Sequence, residues 1–180
     1  MTAFRFLCLA ACAAVSALAL IGAQGDALAA EASATPLLDG IRAAQAKTWR
    51  YDRIMGRRLT PSDRSMYRIP SQGYRRWLLG LWRERAEQAR LRAMHPPHEA
   101  AWLCIHAHEG PWRANTGNGY YGGLQMDVFF QRTYGPYLLR TKGYAHRWTP
   151  IEQMWVAERA HRSGRGFYPW PNTARSCGLL

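Results

Sequence analysis

Acidic residues are scarce in this chain: 12 Asp and Glu stand against 24 Lys and Arg over 180 residues, a formal charge of +12. Few carboxylates are therefore at hand for acid, base or metal-ligand work. Cysteine is scarce as well. Of four, Cys8 and Cys12 fall in an apolar leader, which leaves Cys104 and Cys177 as one possible pair in an oxidising compartment, two free thiols being the alternative. No internal repeat is present, which excludes a repeat architecture. Long apolar runs are missing except from Phe6 to Ile21, about sixteen residues and short for a permanent membrane span. His106, His108 and Glu109 look like half of a zinc-protease helix. The second histidine of HExxH is missing, however, because Trp112 stands four residues after His108. No metal or cofactor site follows from the sequence.

What is present at the start is an export signal. Arg5 precedes the apolar stretch, and Ala27-Leu28-Ala29 offers small residues where a signal peptidase reads, so residues 1–29 are expected to be removed and the remainder secreted or wall-associated. Leu9-Ala10-Ala11-Cys12 resembles a lipoprotein box. Only about ten residues precede it, and lipidation of Cys12 would cut the apolar region in half. Residues 30–97 read as a basic extension of two helices. Leu37, Leu38, Ile41, Ala44 and Thr48 recur at helical spacing in the first, and Tyr74, Trp77, Leu78, Leu81 and Trp82 in the second. Pro61 and the run from Pro70 to Gly73 separate them, and Pro96-Pro97 ends the second. The stretch 36–100 carries +8 and the stretch from 101 onward +5, a balance expected to draw an exported protein to anionic polymers, arginines that only solvate helix faces being the alternative. Export also argues against nucleic acid as the partner.

Chemistry concentrates in residues 98–180. If 98–109 is helical, Trp102, Ile105 and Glu109 share one face, and the carboxyl points into apolar company. A carboxyl group taken out of water resists ionisation, which is the state a proton donor needs. Asn115-Thr116-Gly117-Asn118-Gly119 follows, with residues that tolerate left-handed backbone, and then Tyr120-Tyr121-Gly122-Gly123-Leu124-Gln125, a pattern suited to a tight hairpin. Trp112, Tyr120 and Tyr121 supply flat aromatic faces, and Asn115, Asn118 and Gln125 supply amides that donate and accept, the inventory of a sugar site. Thr149-Pro150-Ile151-Glu152 predicts a capping box opening a later helix, with Ile151, Met154 and Trp155 inward and Gly164 near its end. The tail 167–180 reads as an irregular strap.

The string TGNGYYGGLQ at 116–125, with Glu109 and Trp112 before it and Glu152-Gln153, Ala157-Glu158 and Trp170-Pro171 after it, resembles the catalytic core of the resuscitation-promoting factors and related transglycosylase-like domains. The resemblance runs from about Trp102 to the end. It implies an α+β, mainly helical, compact lysozyme-like domain with a short β-hairpin, here preceded by the basic helical extension. It implies a secreted enzyme that cuts peptidoglycan glycan strands between N-acetylmuramic acid (MurNAc) and N-acetylglucosamine, of lytic transglycosylase or muramidase type. Glu109 corresponds to the catalytic acid, with Tyr121, Gln125 and Gln153 lining the cleft and Gln153 facing back toward the glutamate. In a bacterial envelope the anionic polymers would be wall phosphates, acidic peptide stems or lipid headgroups. A non-catalytic glycan-binding or growth-regulating module is the alternative.

Three departures from the family pattern stand out. Only Gly110-Pro111 separate Glu109 from Trp112, where the family has a longer Gly-Gly-Asn stretch, and Phe130-Gln131 replace a threonine-tryptophan pair. The family also sets one cysteine directly before the glutamate and its partner soon after the Trp-Pro pair. Here Cys104 lies about one helical turn earlier and Cys177 further along, and the resemblance implies that they still pair, pinning the tail outside the cleft. Glycosidases usually employ two carboxylates. Asp127 is the only nearby candidate for a second, so a single-carboxylate mechanism is expected.

Overall fold

The computed structural model describes residues 36–180; the leader and its cleavage site lie outside the described residues. Helix α1 covers 36–55, followed by a 3-10 turn at Arg64–Arg68 and helix α2 at Gln72–Ala93. Then come α3 (Glu99–Glu109), β1 (Tyr120–Tyr121), β2 (Met126–Asp127), α4 (Val128–Tyr134), α5 (Pro136–Lys142), α6 (Pro150–Ala160) and α7 (Pro171–Ser176). Helices dominate, and the one small sheet pairs Tyr120 with Asp127 and Tyr121 with Met126 in antiparallel register. This is the mainly helical α+β class implied by the motif. No helix among the described residues is long and apolar enough to cross a membrane.

The chain divides into two compact units. Within the first, Ile41 and Leu78 are buried, while Trp77, expected on the packed face, is 59% exposed and leans on Tyr74 at 5.5 Å between ring centres. Helical spacing placed both Trp77 and Leu78 near the packed face, and only Leu78 is covered.

The second unit comprises Ala44–Ser62 and Trp82–Leu180. Its core gathers Trp102, Ile105, Leu124, Met126, Phe130, Leu138, Trp148, Met154 and Trp170. Helix α6 is its axle. The capping box forms as the sequence predicts, Thr149 accepting from the Glu152 amide while the Glu152 carboxylate accepts from the Thr149 amide at 2.9 Å. The same carboxylate takes Lys142 Nζ at 2.6 and 2.7 Å, so a buried charge is fully paired. Further along α6, Arg159 and Arg162 donate to the Ile54 and Met55 carbonyls at 2.6 and 2.9 Å, satisfying orphan acceptors at the end of α1. Burial, with Arg162 alongside, pulls Arg159 down to about 10. Gly56 closes α1 with φ +65, and a side chain there would meet Arg159 at 2.5 Å. On the same packing surface Trp155 donates to the Ala93 carbonyl at 2.7 Å.

The tail differs from expectation. Instead of an irregular strap, residues after Trp170 form α7, with Pro171 at its first turn, and Cys177 just beyond it bonds Cys104 on α3. The paired cysteines are thus present despite both having shifted along the sequence.

Candidate active site

Glu109 is the last residue of α3, whose chain turns sharply at Gly110. Trp102 and Ile105 on its face are fully buried, while Glu109 is half-buried at the edge of a cavity of about 330 Å³. Tyr120 and Gln125 from the hairpin form one wall; Pro169, Trp170, Pro171, Asn172 and Thr173 from the tail form the other. The carboxylate Oε1 accepts a hydrogen bond from the Thr173 hydroxyl. A second cavity of about 260 Å³ shares Tyr120, Gln125, Pro169 and Trp170 and adds Asp127, Phe129 and Arg165. The shared walls make one groove that passes the glutamate and continues toward Phe129, whose ring is 74% exposed.

Local chemistry explains the hairpin wall. Gly122 has φ +76, and a side chain on it would meet the Gln153 amide oxygen at 2.4 Å; one on Gly123 would strike His106 and Trp112 at 2.6 and 2.7 Å. Gln125 itself adopts φ 45 and donates to the Gly122 carbonyl at 2.8 Å, which closes the turn and fixes the side chain at the groove. The floor is Trp170, held by a 2.7 Å bond to the Leu124 carbonyl and packed edge-on against Trp102 and Phe130.

Of the residues singled out from the sequence, Glu109, Tyr120 and Gln125 come together in this groove. The other five have different work, Asn115 bridging Tyr121 in an isolated antiparallel pair. Gln153 is fully buried rather than facing the glutamate. Its oxygen accepts from Gly123 N at 2.9 Å, and its NH₂ donates to the carbonyls of Trp112, Ala145 and Trp148 at 2.8, 3.0 and 3.2 Å. It is the clasp beneath the hairpin. Trp112 stacks on His106 at 3.9 Å, Tyr121 stacks on Tyr144 at 4.5 Å, and Asn118 accepts from Tyr120 N at 3.0 Å within its own turn. None of the three lines the cavity at Glu109. Phe130 and Gln131 are buried; Gln131 ties Met126 to Ala145. Sequence reasoning did not single out Thr173, Asn172 or Phe129. Trp170-Pro171 alone signalled that the tail returns to the motif.

The acids after Ala101 are four, and three have structural partners. Glu152 is in the capping box, Glu158 is buried against Trp102 and His98, and Asp127 caps α4 by accepting from Phe130 N at 2.6 Å. Glu109 is left as the carboxylate that faces open space with aromatic and amide walls.

Two clusters bring potential metal-binding atoms together among the described residues. In the first, Cys104 and Cys177 are joined to each other, which leaves His108 alone. In the second, His98, Glu158 and His161, the Glu158 Oε1 already accepts from Trp102 Nε1 at 2.7 Å, His98 N at 2.9 Å and His98 Nδ1 at 3.0 Å. Burial, then the neighbouring His98, lowers the pKa of His161 from its ordinary value, against a smaller opposite pull from Glu158. The folded state therefore favours the neutral ring. The unfolded chain binds the proton first as pH falls, so this contribution is present above the ordinary histidine range and lost below it. Between pH 7 and 5.5 the melting temperature of His161→Gln should fall less than that of the parent, as read by paired thermal melts.

Residues 98–173 match the model of the family described as transglycosylase-like domain. Over 70 residues the chain is 43% identical to Resuscitation-promoting factor Rpf1 of Corynebacterium glutamicum, an alignment covering 39% of this chain and 35% of that protein. This stretch of the chain is similar to the transglycosylase-like domain family. The chain spans about a third of the length of that curated relative.

Proposed function

We propose that the protein is an exported enzyme that cleaves the glycan strands of peptidoglycan at the bond between MurNAc and N-acetylglucosamine, with Glu109 as its single catalytic carboxylate. The observation that carries this reading is the groove itself. A carboxylic acid with no salt bridge among the described residues stands beside an aromatic floor and an amide, inside the stretch that matches the transglycosylase-like domain. Sugar rings lie along Tyr120 and over the Trp170 edge, and Gln125 hydrogen-bonds their hydroxyl or acetamido groups.

In the first step Glu109 gives its proton to the departing glycosidic oxygen, and the C1–O bond breaks toward an oxocarbenium-like state. The substrate's acetamido group or the polar cleft stabilises that state. Glu109, now a carboxylate, takes a proton back. If it comes from the MurNAc 6-hydroxyl, O6 closes on C1 and a 1,6-anhydro end results; if it comes from water, a reducing end results. Asp127 spends Oδ1 on capping α4, and the single-carboxylate reading gives it no catalytic step. Asp127→Asn should retain wall cleavage within about threefold with a melting temperature near the parental one, because asparagine caps a helix about as well as aspartate, whereas Asp127→Ala should lower stability by about 1 kcal/mol. Activity and melting measurements on the same preparation check both.

Incubated with purified wall sacculi, the protein should release soluble muropeptides, with mass spectrometry assigning anhydro or reducing termini. Sedimentation with the wall without any new glycan end would instead make it a binding module.

The net positive charge favours anionic wall polymers as an additional partner. Secretion and a cell-wall location rest on the leader.

A further inference from the structure

We propose that Thr173 is the positioning residue of Glu109, held in place by the Cys104–Cys177 bond; this rests on the reading of Glu109 as the catalytic acid. The Thr173 hydroxyl bonds Oε1 of Glu109. Thr173 sits on α7, and α7 is fastened at both ends. Before it, Trp170 is tied to the Leu124 carbonyl; after it, Cys177 is bonded to Cys104, one and a half turns back from Glu109 on α3. Between them Ala174 is fully buried, and Leu179 N donates back to its carbonyl at 2.8 Å. The Cys104–Cys177 bridge and the Thr173–Glu109 hydrogen bond thus join the same two helices. Both departures of the cysteines from the family pattern bracket this device: Cys104 retreats one turn, Cys177 advances, and the intervening residues form the helix that presents Thr173.

The chemistry asks for such a group. A hydroxyl donates to a carboxylate and equally to the carbonyl oxygen of a protonated acid, so Thr173 can hold Oε1 in both halves of the cycle. The proton then resides on Oε2, passes to the glycosidic oxygen, and returns to Oε2 from the 6-hydroxyl or water. Without the hydroxyl, the carboxyl rotates freely about its last bond, and misplacement of about 1 Å can cost roughly a hundredfold in rate.

The test compares Thr173→Val and Thr173→Ser with the parent on soluble glycan strands, disulfide intact, with Glu109→Gln alongside. Valine keeps the shape and removes the hydroxyl; it should lower kcat by about ten- to a hundredfold with KM within twofold. Serine should restore kcat to within about threefold of the parent. Combining Thr173→Val with loss of the disulfide should cost little further kcat, because both act through one contact. Parental kcat in the valine variant, a loss that serine does not restore, or a change confined to KM would each overturn the proposal. If Glu109→Gln is inactive while Thr173→Val is unimpaired, this inference alone fails. If Glu109→Gln keeps the parental rate, the reading beneath it fails instead.

Discussion

Replacing Cys104 and Cys177 together with serine should lower the stability of the protein by about 4 kcal/mol, the chain-entropy value for cross-linking residues this far apart. The bond spans 73 residues and closes α3 onto the tail, so its removal frees a long loop in the unfolded chain. For a chain of this size the loss corresponds to a melting temperature lower by roughly 8–16 °C. Thermal melts of the oxidised protein, the reduced protein and the double variant provide the check; equal melting temperatures would mean that Trp170, Ala174 and the core hold α7 without help. The effect reaches function as well, because α7 forms one wall of the groove and carries Thr173 to Glu109.

A comparable loss is expected from Gln153→Leu, about 3–5 kcal/mol, although the volume hardly changes. The leucine cannot bond Gly123 N or the carbonyls of Trp112, Ala145 and Trp148, and groups without other partners then stay buried and unpaired. Ala145 still accepts from Trp148 N, so the cost falls mainly on Gly123 N and the Trp112 and Trp148 carbonyls. Because Gly123 lies in the turn of the hairpin and Trp112 just ahead of it, Tyr120 and Gln125 should also lose their fixed places. Denaturant melts measure the first effect. A fall in wall cleavage at a temperature where the variant is still folded measures the second. If Gln153 were a sugar contact with no structural part, the substitution would weaken substrate binding and leave stability near the parental value.

The elements legible in the sequence are those set by local rules. The span of α3 follows from the spacing of Trp102, Ile105 and Glu109, the start of α6 from its capping box, and the hairpin from its asparagines and glycines. Each is decided within a few residues. The paired cysteines followed from resemblance, with the intervening chain adjusting to their new positions. What escaped was fixed by distant contacts. Helix α7 has six residues, too few for a periodic signal, and exists where Trp170 and Cys177 anchor it. Gln153 was recognised as part of the site region, yet its direction depends on backbone groups at 112, 123, 145 and 148 that meet only in the fold. Nor could composition show that Arg159 and Arg162, two of many surface-type arginines, close the end of α1.

The account turns on one side chain. Glu109→Gln preserves the size of the residue and its ability to hydrogen-bond Thr173, but it has no acidic proton to give. Release of soluble muropeptides from purified walls by this variant should fall by about a thousandfold, within the range known for removing a general acid, while its melting temperature and its binding to the wall stay near those of the parent. Release at the parental rate would contradict the account, because the bond would then be broken by some other group.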